Sequence, residues 1–155
     1  QTPDDMHFRL AKEFARIEEQ YQEKEANVYP KGALSDYAQK RKPLNEDSIN
    51  YLFMDFKYIV PQGSIMSMLG SNKIGSLSNC FVIGQPHDSY GGILQKDEQL
   101  VQLMKRRGGV GLDISTLRPE NTSVTNAAGT STGAISFMER FSNSTREVAQ
   151  NGRKH

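Results

Sequence analysis

The sequence predicts an α/β fold in which a helical N-terminal region, residues 1–60, leads into strands alternating with helices over residues 61–155. Three observations predict it. Apolar Met6, Leu10, Phe14 and Ile17 recur at three- and four-residue spacing, the period of one buried helix face. After Pro61 the pattern changes to short apolar stretches bounded by Gly70, Gly75 and Gly84. The order strand, helix, strand between Asn79 and Ile114 is that of a right-handed parallel crossover.

Each element follows from its local chemistry. The first helix can be capped by Thr2 or Asp4, with Pro3 in its first turn and Asp4 and Asp5 opposing the positive end of its dipole. Its periodicity dissolves after Tyr21, so Gln22 to Pro43 reads as a charged loop with a short helix around Leu34 to Gln39. A second helix starts near Asn45, buries Ile49, Leu52, Phe53 and Phe56, and ends before Pro61. Ser64 to Leu69 and Asn79 to Ile83 read as short strands. A helix then runs from about Asp88 to Arg107, capped by Asp88 or Ser89, with Gly108 placed to end it. Gly109 to Ile114 is the next strand, Pro119 to Gly129 a polar loop, and Thr132 to Gln150 a last helix that Asn151-Gly152 terminates. The chain holds no internal repeat or low-complexity tract.

Composition bounds the function. Counting the 13 Gly and leaving out the 6 Tyr brings the 36% apolar fraction to about 41%, below the usual roughly 45–50%. The core is thin for a free-standing fold of 155 residues. No apolar run approaches the ~18 residues needed to cross a bilayer, and no basic-then-apolar leader opens the chain, so no membrane partner is expected. Nineteen Lys and Arg against eighteen Asp and Glu leave a net charge of +1, which gives no field for steering a nucleic acid. One cysteine excludes an internal disulfide and fits a reducing, cytoplasmic setting. The opening at Gln1-Thr2-Pro3 without a Met and the stop at Arg153-Lys154-His155 read as cut ends.

Three features could carry chemistry. Cys80 heads the apolar stretch Cys80-Phe81-Val82-Ile83. It is either a small buried hydrophobe or a redox or nucleophilic thiol at a strand end. A second cysteine is absent, and His7, His87 and His155 are scattered, so His87 alone could orient the thiol. The run Arg107-Gly108-Gly109-Val110-Gly111-Leu112-Asp113 fails the phosphate-loop and dinucleotide-loop patterns, because its glycines precede a strand. They serve either as helix stop and packing residues or to let backbone approach a ligand. Gly129-Thr130-Ser131-Thr132-Gly133 before a helix could offer N–H groups to an anion or be a capped loop. Arg118, just after a strand, is well placed to meet a phosphate.

Four stretches together resemble the catalytic (large) subunit of ribonucleotide reductase. They are Pro61-Gln62-Gly63-Ser64-Ile65-Met66; Ser76-Leu77-Ser78-Asn79-Cys80-Phe81; Gly108 to Asp113 continuing through Leu117-Arg118-Pro119; and the long run Asn126 to Gly152, the most specific of them. The resemblance covers all but the last two or three residues. It implies a helical N-terminal region (1–60) followed over 61–155 by the first strands and helices of a ten-stranded α/β barrel, incomplete here. A closed barrel needs far more chain, about 250 residues even for the eight-stranded kind, which accounts for the thin core.

The resemblance also implies chemistry: reduction of the ribose 2′-hydroxyl by a thiyl-radical route, with a cysteine pair supplying two electrons. Cys80 matches one member of that pair, and its partner, the thiyl cysteine and the assisting Asn and Glu lie downstream in the family. Ser64, Asn79, Cys80 and Gly109 match positions that touch the substrate, although Asn79 departs from the small Ser or Ala frequent there. Asp88 and Ser89, with Tyr90 adjoining, match residues that hold the sugar of a deoxynucleoside triphosphate or ATP effector, and Arg118 matches a residue that pairs with its phosphate. The second relay loop, where Gly-Arg-Arg-Gly is expected, reads Gly152-Arg153-Lys154-His155. Implied partners are a ribonucleotide substrate, a second catalytic subunit, thioredoxin or glutaredoxin, and either adenosylcobalamin or a radical-generating, metal-containing small subunit; the general likeness of the run Asn126 to Gly152 leans toward cobalamin and leaves both open. The expected function is that of a reductase portion inactive alone. The alternatives are a nucleotide-binding or dimerisation module without catalysis, and a truncated product with no stable fold.

Overall fold

The computed structural model describes residues 2–28 and 35–148. They divide into two compact units, Gln1–Lys73 and Ile74–His155. The first is helical: α1 (Pro3–Val28), α2 (Asp36–Lys40), α3 (Glu46–Phe53), a 3-10 turn (Met54–Phe56) and α4 (Gly63–Met68). The second carries β1 (Cys80–Ile83), α5 (Tyr90–Met104), β2 (Gly109–Leu112) and α6 (Ala134–Glu147).

In the first unit, Leu10 and Ala11 of α1 meet Ile49 and Phe53 of α3, with Leu69 closing the cluster. Thr2 caps α1: its Oγ1 accepts the Asp5 N–H at 3.2 Å while Asp5 Oδ2 accepts the Thr2 N–H at 2.8 Å. That backbone bond is the main reason the Asp5 carboxyl is held below its ordinary range. Charge does not stop the helix at Tyr21. Gln22 to Val28 contains Gln, Glu, Lys and Ala, all strong helix formers, and α1 continues to Val28.

Two further expectations are corrected in this unit. Ser64 to Leu69 is not a strand but α4 and its C-cap; a six-residue apolar run fits either state by pattern alone. The Arg9 guanidinium donates to the carbonyls of Met66 and Leu69 and so satisfies groups that a helix end leaves unpaired. Phe56 is not on the stripe of α3. The helix ends at Phe53, and Asp55 and Phe56 both adopt φ of 54°, which swings the Phe56 ring edge-on against His7 at 4.7 Å. His7 is buried, with Phe53 on its other side at 6.2 Å and Nε2 without a hydrogen bond.

In the second unit β1 and β2 pair in parallel, Cys80 opposite Gly109 and Ile83 opposite Leu112. Ile93, Leu100 and Met104 of α5 pack with Leu117 and Phe141, and Ile83, Val110 and Leu112 close the cluster from the sheet. Arg140 on α6 reaches Asp97 on α5 at 3.1 Å. The sheet is open. Among the described residues it has two strands, so the ten-stranded barrel is not seen in this chain. The last helix spans Ala134–Glu147, shorter than expected; the Asn151-Gly152 stop and the Gly152 to His155 loop lie outside the described residues.

The end of α5 differs from expectation in a way that explains a glycine. The left-handed residue is Arg107, at φ of 70°, not Gly108. The Gly108 N–H donates to the Leu103 carbonyl at 3.1 Å, and a Cβ on Gly108 would lie 2.7 Å from the Phe81 ring. Gly108 is therefore a close-packing residue between helix end and strand.

Candidate functional site

The register of the sheet gathers one set of residues at its entry. Cys80 and Gly109 are direct parallel partners, and the Gly109 N–H donates to the Asn79 carbonyl at 2.7 Å. A Cβ on Gly109 would stand 3.3 Å from that carbonyl and 3.9 Å from Cys80 Sγ, so the glycine leaves room beside the sulfur. The Cys80 thiol is free and exposed, which removes the reading of a buried hydrophobe. Ser64 belongs to the first unit, where it lies buried on α4 with its carbonyl accepting from Ser67 Oγ at 3.3 Å.

The second set gathers where the strands have ended. Ser89 caps α5: its Oγ accepts the Gly92 N–H at 3.1 Å and lies 3.2 Å from His87 Nδ1. Gly92 is required there, because a Cβ would stand 2.4 Å from the His87 carbonyl. This tight turn presents Asp88 to the loop after β2. Arg118 Nε donates to Asp88 Oδ2 at 2.7 Å, Nη2 to the Asp88 carbonyl at 3.3 Å, and the Arg118 backbone N–H to Oδ1 at 3.4 Å. The bond from the Arg118 side chain is the main cause that holds the Asp88 carboxyl below its ordinary range, opposed in part by burial.

These residues line a cavity of about 250 Å³. Asp88, Ser89, Tyr90 and Arg118 form one side of it. The other side comes from α6 and from the segment before it. Phe137 meets the Tyr90 ring edge-on at 6.2 Å, and Val124 to Asn126 and Thr130 to Thr132 complete the lining. That segment is a hairpin. Ser131 N–H donates to the Thr122 carbonyl, Asn121 N–H to that of Ser131, and Asn126 Oδ1 accepts the Ala128 N–H at its tip. The structure thus unites Asp88, Ser89, Tyr90 and Arg118 as the sequence expects, and brings Thr130 to Thr132 to them. It adds Phe137 and the Val124 to Asn126 arm, which read as a core position and a polar loop. The Asn126-Ala127-Ala128-Gly129 turn signature is the signal that could have shown the hairpin.

The cavity sets one cationic side chain, Arg118, among hydroxyl-bearing residues and an aromatic wall. Arg118 is oriented by its bonds to Asp88, and Ser89, Thr130, Ser131 and Thr132 also line the cavity. Among the described residues no group of three or more His, Cys, Asp or Glu side chains is placed to hold a metal ion, and no helix is long and apolar enough to cross a membrane.

The chain is similar to proteins of known family. The ribonucleoside-diphosphate reductase large chain 2 of Saccharomyces cerevisiae is 36% identical over 78 residues, 50% of this chain and 9% of that protein. The large subunits of Caenorhabditis elegans and Variola virus are 32% and 31% identical over the same length, each match covering 50% of this chain and 10% of theirs. The chain spans about a tenth of the length of these curated relatives. The family described as "Ribonucleotide reductase, barrel domain" matches residues 78–155, a span that holds Asn79, Cys80, Gly109 and the whole cavity around Arg118, and the chain belongs to that family.

Proposed function

We propose that this chain is the portion of a ribonucleotide reductase catalytic subunit that carries one reducing cysteine and an effector-nucleotide site. The observation that carries the reading is the placement of both residue sets on one parallel β1–β2 pair, the Cys80 thiol exposed at its entry and the Asp88–Arg118 cavity beyond its exit. The large subunits it resembles are named for ribonucleoside diphosphates, and such a substrate is the one proposed here.

In this reading a thiyl radical formed elsewhere in the enzyme takes the 3′-hydrogen of the substrate ribose and later returns one. Cys80 and a second cysteine, which the 155 residues do not contain, together give two electrons and two protons. The 2′-hydroxyl leaves as water, the two sulfurs join as a disulfide, and thioredoxin or glutaredoxin restores the dithiol. Gly109 gives the sugar close backbone approach beside Cys80, and Asn79 offers it a polar contact. The radical generator is adenosylcobalamin or a metal-containing small subunit, and no step is routed through it.

At the other site Arg118 meets effector phosphate, Asp88 and Ser89 face the sugar, and the Tyr90–Phe137 wall supplies apolar surface. The cavity, at about 250 Å³, is below the roughly 300–1,000 Å³ of a full ligand pocket. It therefore takes part of a nucleotide and leaves the rest for a second catalytic subunit to cover. That the cavity is built wholly within residues 88–137, whereas the cysteine pair is not, favours a second reading in which the chain binds nucleotide without catalysis.

Mixing tests the reductase reading. The chain alone should form no deoxynucleotide from a ribonucleoside diphosphate. The chain supplied with the remaining barrel of a large subunit, a radical generator and dithiothreitol should form it, and Cys80→Ser should abolish it. Equal turnover by Cys80→Ser, or none with any complement, contradicts the reading and leaves the nucleotide-binding module.

A further inference from the structure

Beyond the last backbone pair of the sheet, Ile83 with Leu112, the two chains stay in step without a backbone ladder. Pro86, fully buried in this stretch, has no N–H to donate to a continued ladder. Side chains take over. Gln85 Nε2 donates to Asp113 Oδ2, and the other carboxylate oxygen accepts the Ser115 N–H at 2.9 Å. Thr116 Oγ1 donates to the Pro86 carbonyl at 2.8 Å, and Arg118 then closes on Asp88. The partners are 28, 30 and 30 residues apart in sequence, close to the constant offset between Cys80 and Gly109 in the sheet. The parallel register is thus carried for five more residues by side-chain bonds, and its last rung is the ion pair that lines the cavity.

We infer that Gln85, Asp113 and Thr116 are positioning residues for Arg118. They hold the loop after β2 against the loop after β1, so that the Arg118 side chain is already extended along Asp88 when an anion arrives. A long, flexible arginine left to itself loses rotamer freedom on binding; one pre-set by this ladder has lost it already. None of the three need touch the nucleotide. The inference rests on the reading of the cavity as a phosphate site only for its functional consequence; the geometric claim stands on the ladder.

The test uses the 155-residue chain with Thr116→Val, which keeps the shape and removes the donor, and Thr116→Ser, which returns it. Two quantities are read: hydrogen exchange of Arg118 Nε–H by nitrogen-15 NMR, and dTTP affinity by calorimetry, with the thermal midpoint as control. Thr116→Val should lose roughly tenfold in Nε–H protection and a similar factor in dTTP affinity at an unchanged midpoint, and Thr116→Ser should restore both. Should Thr116→Val fail to fold, Gln85→Leu, at an exposed position, carries the same expectation. Unchanged Nε–H protection, or a loss that Thr116→Ser does not reverse, overturns the inference. If the parent chain binds no dTTP, the phosphate reading of the cavity falls, and the exchange data still decide the positioning role.

Discussion

Arg118 and Asp88, thirty residues apart, are joined at three points: the guanidinium Nε meets Asp88 Oδ2 at 2.7 Å, Nη2 meets the Asp88 carbonyl, and the Arg118 backbone N–H meets Oδ1. Both side chains remain about one-third exposed, so solvent screens the pair and its worth to folding is small. Its consequence is orientation. The arginine lines the cavity with its guanidinium held by Asp88, and both carboxylate oxygens are engaged by Arg118.

That pairing sets a titration. With its folded value depressed, the Asp88 carboxylate contributes stability above the ordinary carboxyl value, near about 3.9, and loses it as pH falls through the folded value. Arg118→Ala should move the Asp88 midpoint up toward the ordinary range, read by carbon-13 NMR of the carboxyl. An unmoved midpoint would show that the Arg118 bond does not hold the charge.

The two glycines at the ends of α5 should behave oppositely. A Cβ at Gly108 meets the Phe81 ring at 2.7 Å, whereas one at Gly91 meets nothing within 4 Å. Gly108→Ala should cost about 1–3 kcal/mol, and Gly91→Ala should gain up to about 1 kcal/mol. Chemical denaturation followed by circular dichroism ranks them, and the reverse order would contradict the packing described.

Exposure of Cys80 predicts complete alkylation by iodoacetamide in the folded chain, at a rate within a few-fold of that in denaturant. Cys80→Ser should leave the thermal midpoint within the roughly 0.5 kcal/mol expected of a surface change. Protection of the thiol by tenfold or more would return Cys80 to the core.

In the helical unit, His7 Nε2 is buried without a partner between Phe53 and Phe56. Replacing such a group by an apolar one is neutral or stabilising, so His7→Leu should hold or raise the midpoint of that unit. A fall of more than about 1 kcal/mol in a denaturant titration would mean that the imidazole makes a bond on which the unit depends.

What was legible in the sequence had a period or an order. The stripe through Leu10 and Phe14 marked α1, and the strand, helix, strand order marked the parallel pairing of Cys80 with Gly109. What was not legible depended on contacts between segments. Ser64 to Leu69 is too short for its period to separate helix from strand, and its helical end is completed by Arg9, nearly sixty residues away. Gly108 reads either as helix stop and packing residue or as a point of ligand approach, and only the Phe81 ring, on the preceding strand, decides for packing. At the cavity, Arg118 is legible from its place just after a strand, and Asp88, Ser89 and Tyr90 through the family resemblance. Phe137 and Asn126 enter it only once the hairpin and α6 fold over α5, and no local pattern encodes that.

Calorimetric titration of the chain with dATP and dTTP is the sharpest check on a nucleotide-phosphate site in the Asp88–Arg118 cavity. A phosphate site there gives saturable binding by the parent chain and by Cys80→Ser, weakened about 10- to 100-fold by Arg118→Ala, the loss of one charge-assisted hydrogen bond of about 1.5–3 kcal/mol. Equal binding by a folded Arg118→Ala variant, or no saturable binding by the parent, would contradict it.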